Sequence, residues 1–217
     1  MTDIVSESTD YRAYGKYCGY RDAAWRCLAD HQIDRLPVDV KRIAALSGIR
    51  VLSDREVHLL RPNETGATFY DGVRWSIVYD SDQTVEACRL TVAHELGHIF
   101  LGHGLQTGDP ARADMTVEER LKHPEINKNH EREADRFAIR LLCPACVLWA
   151  LDLHTAEEIA TACRIPMAVA KKRAARMATL YKRNCFLHSE LEREVFRRFE
   201  PYIREERSAR GLAWEPV

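Results

Sequence analysis

The sequence has no apolar run long enough to span a bilayer, and it has almost no net charge. Lys and Arg total 32 against 33 Asp and Glu, a formal net of −1. The first lack excludes a membrane-spanning helix. The second removes the global field that would draw the chain to nucleic acid or to an anionic membrane. The opening residues, Met1-Thr-Asp-Ile-Val-Ser-Glu7, hold neither a basic n-region nor an apolar h-region, so no signal peptide is expected. A second CxxC is also missing: Cys143-Pro-Ala-Cys146 stands at a helix end, and Cys163 and Cys185 do not supply the partner pair of a zinc knuckle. Seven cysteines at irregular spacings fit a reduced, cytoplasmic chain, with the CxxC engaged in packing.

What is present is Thr91-Val-Ala-His-Glu-Leu-Gly-His98. Four residues along a helix place His94 and His98 about 40° apart on one face, one turn from each other. Two neutral imidazoles so placed can share a Zn²⁺ at roughly 2.0–2.1 Å each. Glu95, about 100° round from His94, can reach a water there without being a ligand. This is the H-E-x-x-H arrangement of zinc hydrolases. Val85, Cys88, Val92, Leu96 and Ile99 form the opposite, core-facing stripe, while Ala87, Thr91 and Gly102 leave the histidine side open. Gly97 and Gly102 lower helix propensity and point to close approach of another segment.

The chain of 217 residues is long enough for one domain with an appendage. Residues 1 to 15 are polar and look loose; residues 18 to 31, with Ala23, Ala24, Trp25, Cys27 and Leu28, predict a helix. Pro37 is expected to open a second helix, with Val38, Ile43, Ala44 and Leu46 as its apolar side and Gly48 as its end. Ile49 to Leu52 then read as a short strand. Ala67 to Tyr70 and Val73 to Tyr79 predict a hairpin around an Asp71-Gly72 type I′ turn. Asp82 is the expected N-cap of the motif helix. Residues 104 to 125 predict a polar excursion and a possible lid, with a helical turn or two near Val117 to Leu121. Strands before the motif and helices after it give an α+β order.

A metal on two histidines needs a third protein ligand. Residues 127 to 142 predict a helix ended by Pro144, on which Glu131, Ala134, Asp135, Ala138 and Leu142 share a face. Glu133 points about 200° away, beside Arg136 and Arg140, on the side expected to be solvated. Glu131 is therefore the ligand candidate and Glu133 a surface residue. Asp135 is placed to accept the free N–H of a liganding histidine, His94 above all. His103 follows His98 by five residues, and helical continuation would turn it opposite His94, as a core or surface histidine. His130 is a candidate donor to an oxyanion.

His94-Glu-Leu-Gly-His98 followed by Glu131-x-Glu-Ala-Asp135-x-Phe-Ala-x-x-Leu-Leu-x-Pro144 resembles the ImmA/IrrE family of zinc metallopeptidases. The Pro37-to-Val51 unit and Arg89 match the same pattern, and the resemblance covers roughly residues 36 to 182. The family usually has Asn where Asp135 stands. The resemblance implies a zincin-like fold with Zn²⁺ on His94, His98 and Glu131 and with Glu95 as base. It also implies cleavage of a helix-turn-helix repressor that controls a mobile element or a stress response. The segment 188–217 is too short for the sensor domain of the stress-response members, so the mobile-element type is expected.

Thr155 to Arg173 read as helix, tight turn, helix, with a Thr155/Glu158 capping box and a packing set of Ile159, Ala160, Ile165, Val169 and Ala170. Lys171, Lys172, Arg173, Arg176, Lys182 and Arg183 make it basic. It is expected to be a hairpin completing the core. The alternative is a DNA-binding regulator that uses residues 155–176 and keeps the metal site only for structure. Residues 191 to 207 alternate acids and arginines as an exposed helix would. The expected divisions are 1–35 (extension and helix), 36–152 (peptidase core), 153–187 (helical hairpin) and 188–217 (charged tail). An open metal position and a base together predict a zinc hydrolase in which Glu95 takes a proton from the attacking water; the resemblance implies that it is an endopeptidase. The strand Trp75 to Tyr79, directly before the motif helix, is expected to offer an edge for an extended substrate.

Overall fold

The first helix starts well before residue 15: α1 runs Ser8–Asp30, so the polar start is helical from Ser8 onward rather than loose. The computed structural model describes the backbone of residues 8–103 and 124–213, with side chains from residues 19 and 128 onward in the two stretches. The expected excursion at 104–125 lies outside the described residues, apart from its last two positions. Ala24, Trp25, Cys27 and Leu28 of α1 are buried, as its apolar spacing predicts.

Helix α2 is Val40–Leu46. It begins after Pro37 because Asp39, not the proline, caps it: the Asp39 carboxylate accepts from the Arg42 N–H at 3.0 Å. Val38, Ile43 and Ala44 are buried, whereas Leu46, assigned from sequence to the same face, is 61% exposed. Strand β1 is Arg50–Ser53, followed by the short helix α3, Asp54–Val57. Strands β2, Gly66–Tyr70, and β3, Trp75–Tyr79, pair antiparallel, with Tyr70 opposite Trp75. The connection is therefore four residues long, not a two-residue turn. Asp71 explains it, because its Oδ1 accepts from the N–H groups of both Val73 and Arg74, at 3.0 and 2.9 Å.

The sheet order is β1-β3-β2, with β1 parallel and β2 antiparallel to β3. Thus β3 is the central strand, its Ile77 and Val78 wholly buried, and the expectation that Trp75 to Tyr79 forms a docking edge is overturned. The edge beside the motif helix belongs to β2.

Helix α4, Val85–Phe100, carries the motif. Its N-cap is Thr84, whose Oγ1 accepts from the Ala87 N–H at 3.2 Å, rather than Asp82. Val92 and Leu96 of the predicted stripe are buried, but Val85, in the first turn, is 63% exposed. Helix α5, Pro124–Leu142, crosses α4 and buries Ala134, Phe137, Ala138, Leu141 and Leu142. Removing the Phe137 and Leu141 side chains from water contributes about 1.5–3 kcal/mol each. After Pro144 come α6 (Ala145–Ala150), α7 (Ala156–Cys163), α8 (Met167–Arg183) and α9 (Glu190–Ala209). The Thr155/Glu158 capping box forms as expected. Helix α9 is not an exposed tail. Val195, Phe196, Phe199 and Ile203 are buried, and the helix packs on α1 and α6; these four apolar residues recur at helical spacing between the charges.

The result is an α+β fold, a small mixed sheet on one side of a mostly helical body, consistent with a zincin-like peptidase domain. The site lies where α4, β2 and α5 meet.

Candidate metal centre

Helix α4 delivers His94 and His98 one turn apart, and their Nε2 atoms converge to 3.0 Å. Helix α5 brings Glu131 across. Its two carboxylate oxygens lie 3.2 Å from His94 Nε2 and 3.5 Å from His98 Nε2. The three side chains offer ligand atoms all within 4.8 Å of one another, close enough to hold a metal ion. Two imidazoles and a carboxylate are the donor set of catalytic zinc sites that leave a fourth position open.

The helices can come this close because of Gly97. A Cβ there would stand 3.1 Å from the Ala134 Cα and 3.1 Å from the Phe137 ring. Arg89, one turn before His94, ties the helix to its surroundings. Its guanidinium donates to the backbone oxygens of Val38 at 2.8 Å, Arg164 at 3.2 Å and Cys163 at 3.4 Å.

Glu95 is buried on α4, facing the start of β2: a Cβ on Gly66 would lie 3.3 Å from Glu95 Oε1 and 2.3 Å from Thr91 Cγ2. Asp135 reaches His94, with 2.9 Å between Oδ1 and Nδ1. Burial disfavours the His94 cation. The hydrogen bonds to Asp135 and Glu131 outweigh it and raise the His94 pKa to about 10. The same contacts with His94 and His98 hold Glu131 far below the ordinary carboxylate range.

The profile of the M78 peptidases, described as the IrrE N-terminal-like domain, matches residues 47–175, more than half of the chain. The chain belongs to the M78 peptidase family. No curated protein matches it. Family membership supports a metallopeptidase function, and the His94, His98 and Glu131 cluster of this M78 peptidase resembles a zinc site.

Two residues that the sequence placed elsewhere belong to the centre of this M78 peptidase. Helix α4 ends at Phe100, and Gly102 turns the chain with φ +70°. The His103 N–H then bonds back to the His98 carbonyl at 3.0 Å, and the Gly102 N–H to that of Ile99 at 3.1 Å. This is a Schellman ending. It carries His103 back beneath His98 instead of continuing round the helix. His103 is buried, its Nδ1 lies 3.1 Å from His98 Nδ1, and its Nε2 lies 3.2 Å from Glu133 Oε2. Glu133 is partly solvated, its side chain 41% exposed, and is also a partner of His103, which the sequence reading did not assign to it. His130 stacks on His103, ring centroids 4.2 Å apart. Burial, with the neighbouring His98 and His130, pushes the His103 pKa down to about 3, so its ring is neutral. The local signal was available: Gly102, immediately before His103, marks a C-terminal cap.

The CxxC pair is buried. Burial pushes the Cys146 thiol up, and the Cys143 hydrogen bond followed by burial does the same to Cys163. Raised thiol pKa values oppose nucleophilic redox chemistry. Arg173 is also buried, donating to the Cys143 carbonyl, so it is withdrawn from the basic face assigned to it.

Proposed function

We propose that this M78 peptidase is a zinc-dependent endopeptidase of the cytoplasm whose substrate is a helix-turn-helix repressor. The convergence of His94, His98 and Glu131 beside a buried Glu95 carries this reading. The donor set fits zinc: both histidines hold their Nδ1 atoms in other contacts, and both Nε2 atoms face the Glu131 carboxylate. When bound, the ion supplies Lewis acidity, which polarises a peptide carbonyl and acidifies water.

The chain's own residues do the rest. His94, His98 and Glu131 hold the ion, and Asp135 fixes the His94 ring by accepting from Nδ1. Glu95 takes a proton from the attacking water and passes it to the leaving amine. Its burial between α4 and β2 keeps the carboxylate in one position. An extended substrate segment lies along β2, which pairs only with β3 among the described residues, so its outer N–H and C=O groups set the register. A folded repressor would be cut where a linker can lie extended.

The alternative, a DNA-binding regulator, asks residues 155–176 for a continuous basic face. Arg173 is buried and bonded within the core, and a structural metal site has no use for a carboxylate in Glu95's position. The deciding experiment is Glu95→Gln, with zinc content and cleavage of a candidate repressor measured on the same sample. Zinc should be retained and cleavage lost. Cleavage at the wild-type rate refutes the mechanism.

A further inference from the structure

His98 has two ring nitrogens, and both are engaged. Nε2 faces His94 and Glu131, while Nδ1 faces His103 Nδ1 at 3.1 Å. Two like nitrogens at that distance form a hydrogen bond only if one carries the proton and the other does not. If His98 is to bind a metal through Nε2, its single proton sits on Nδ1. His98 then donates, and His103 Nδ1 accepts. The His103 proton is thereby confined to Nε2, where Glu133 Oε2 lies 3.2 Å away to accept it. Each donor in this series meets one acceptor, and the order cannot be reversed while His98 Nε2 remains a ligand.

We propose that His103 and Glu133 form a positioning relay for His98, the counterpart of Asp135 on His94. It rests on the metal-site reading above and extends it. The relay fixes the His98 ring angle and tautomer through a neutral imidazole and an outer carboxylate, whereas His94 has a carboxylate directly. Three features of the fold maintain it. The Schellman turn at Gly102 returns His103 to His98. His130 stacks on the His103 ring, 6° from parallel, and holds its plane. Glu133 projects from the same helix as Glu131 and Asp135, so α5 supplies a group to each histidine and one to the metal. His103 and Glu133 are positioning residues that act through His98.

The test is zinc affinity, by competition with a chromophoric chelator, together with the visible spectrum of the Co²⁺-loaded protein. His103→Phe keeps a flat ring and removes both nitrogens. It should bind zinc roughly 10–100-fold more weakly and change the Co²⁺ spectrum. Glu133→Leu should weaken binding in the same direction, while Glu133→Gln, whose amide oxygen still accepts from His103, should restore most of the affinity. The double variant should bind no worse than His103→Phe alone, because both belong to one relay. His103→Phe and Asp135→Ala should multiply, because they act on different histidines. Wild-type affinity in a His103→Phe protein of unchanged apo thermal stability overturns the proposal. So does a double variant whose losses simply multiply. Should His103→Phe fail to fold, Glu133→Leu decides alone, since its carboxylate is partly exposed, and unchanged affinity there overturns the relay. The metal reading is scored separately by His94→Ala and Glu131→Ala. Zinc bound by the wild type and lost in those variants upholds it whatever His103 does, and a wild type that takes up no zinc overturns both.

Discussion

Gly97 of α4 lies directly against Ala134 of α5, with room for no more than a hydrogen between the helices. An added Cβ would meet the Ala134 Cα at 3.1 Å and the Ala134 carbonyl at 3.2 Å. Backbone cannot step aside as a flexible side chain can, so Gly97→Ala must part the two helices by a few tenths of an ångström. Overpacking costs about 1–3 kcal/mol, and the helix-propensity gain of Ala over Gly returns about 1 kcal/mol. A net loss of roughly 0–2 kcal/mol in apo stability is expected. Zinc affinity should fall more clearly, because the same displacement moves Glu131 away from His94 and His98. Chemical denaturation and chelator competition on one preparation check both.

Asp135→Ala should weaken zinc binding by roughly 10–100-fold through loss of the His94 Nδ1 contact. Asp135→Asn should lose much less, because its side-chain oxygen can still accept that hydrogen bond. Glu131→Ala should lose more than either, since it removes a ligand. The ranking is read by chelator titration of the three variants, and an Asp135→Ala protein as deficient as Glu131→Ala would put Asp135 among the ligands.

In the metal-free protein the His94 pKa is raised from 6.5 to about 10. Its contribution to stability is fully present below pH 6.5 and fades as pH rises through about 10. The Glu131 pKa is lowered from 4.5, so its contribution is present above pH 4.5 and fades as pH falls. Together they place the greatest contribution of the pair between pH 4.5 and 6.5. Zinc must displace the His94 proton, so its affinity should climb about tenfold per pH unit toward pH 10 for that one proton. Thermal scans in chelator across this range, set beside zinc titrations, test both slopes. Apo stability that increases from pH 7 to pH 9 contradicts the His94 assignment.

Gly66→Ala places a methyl 2.3 Å from Thr91 Cγ2 and 3.3 Å from Glu95 Oε1. The Thr91 methyl has to turn, and the added methyl itself presses on the buried Glu95. Turnover should drop with zinc content intact. Thr91→Ser removes the colliding methyl and should rescue the Gly66→Ala protein, which separates a local collision from a general loss of the sheet. Steady-state cleavage of a repressor-linker peptide by the two single variants and the double provides the measurement.

The α+β order, the motif helix, the Glu131 helix and the meeting of His94, His98, Glu131 and Asp135 were legible in the sequence because each rests on helical spacing, which is local. What was misread depends on where helices stop and what covers them. Asp82 and Thr84 are both good caps by residue type, and it is Thr84 that accepts from the Ala87 N–H. Leu46 keeps its place on the helical wheel, yet no element among the described residues covers that part of α2's surface, and it remains exposed. The acids and arginines of α9 hid its apolar stripe, which became a buried face once α1 and α6 lay beside it. His103 was assigned by extending α4 past its true end. The helical angle of Glu133 was right, but the turn at Gly102 brings His103 against its carboxylate, which remains partly exposed.

The two helices of the metal centre also have a consequence for the polymer that joins them. An ion shared by His98 and Glu131 closes the chain between residues 98 and 131 into a ring. The entropy of closing such a ring grows only logarithmically with its contour, by about 0.6 kcal/mol for each doubling. The clasp would therefore grip almost as well around a much longer span. Added length between His103 and Pro124 should loosen the ion only slightly.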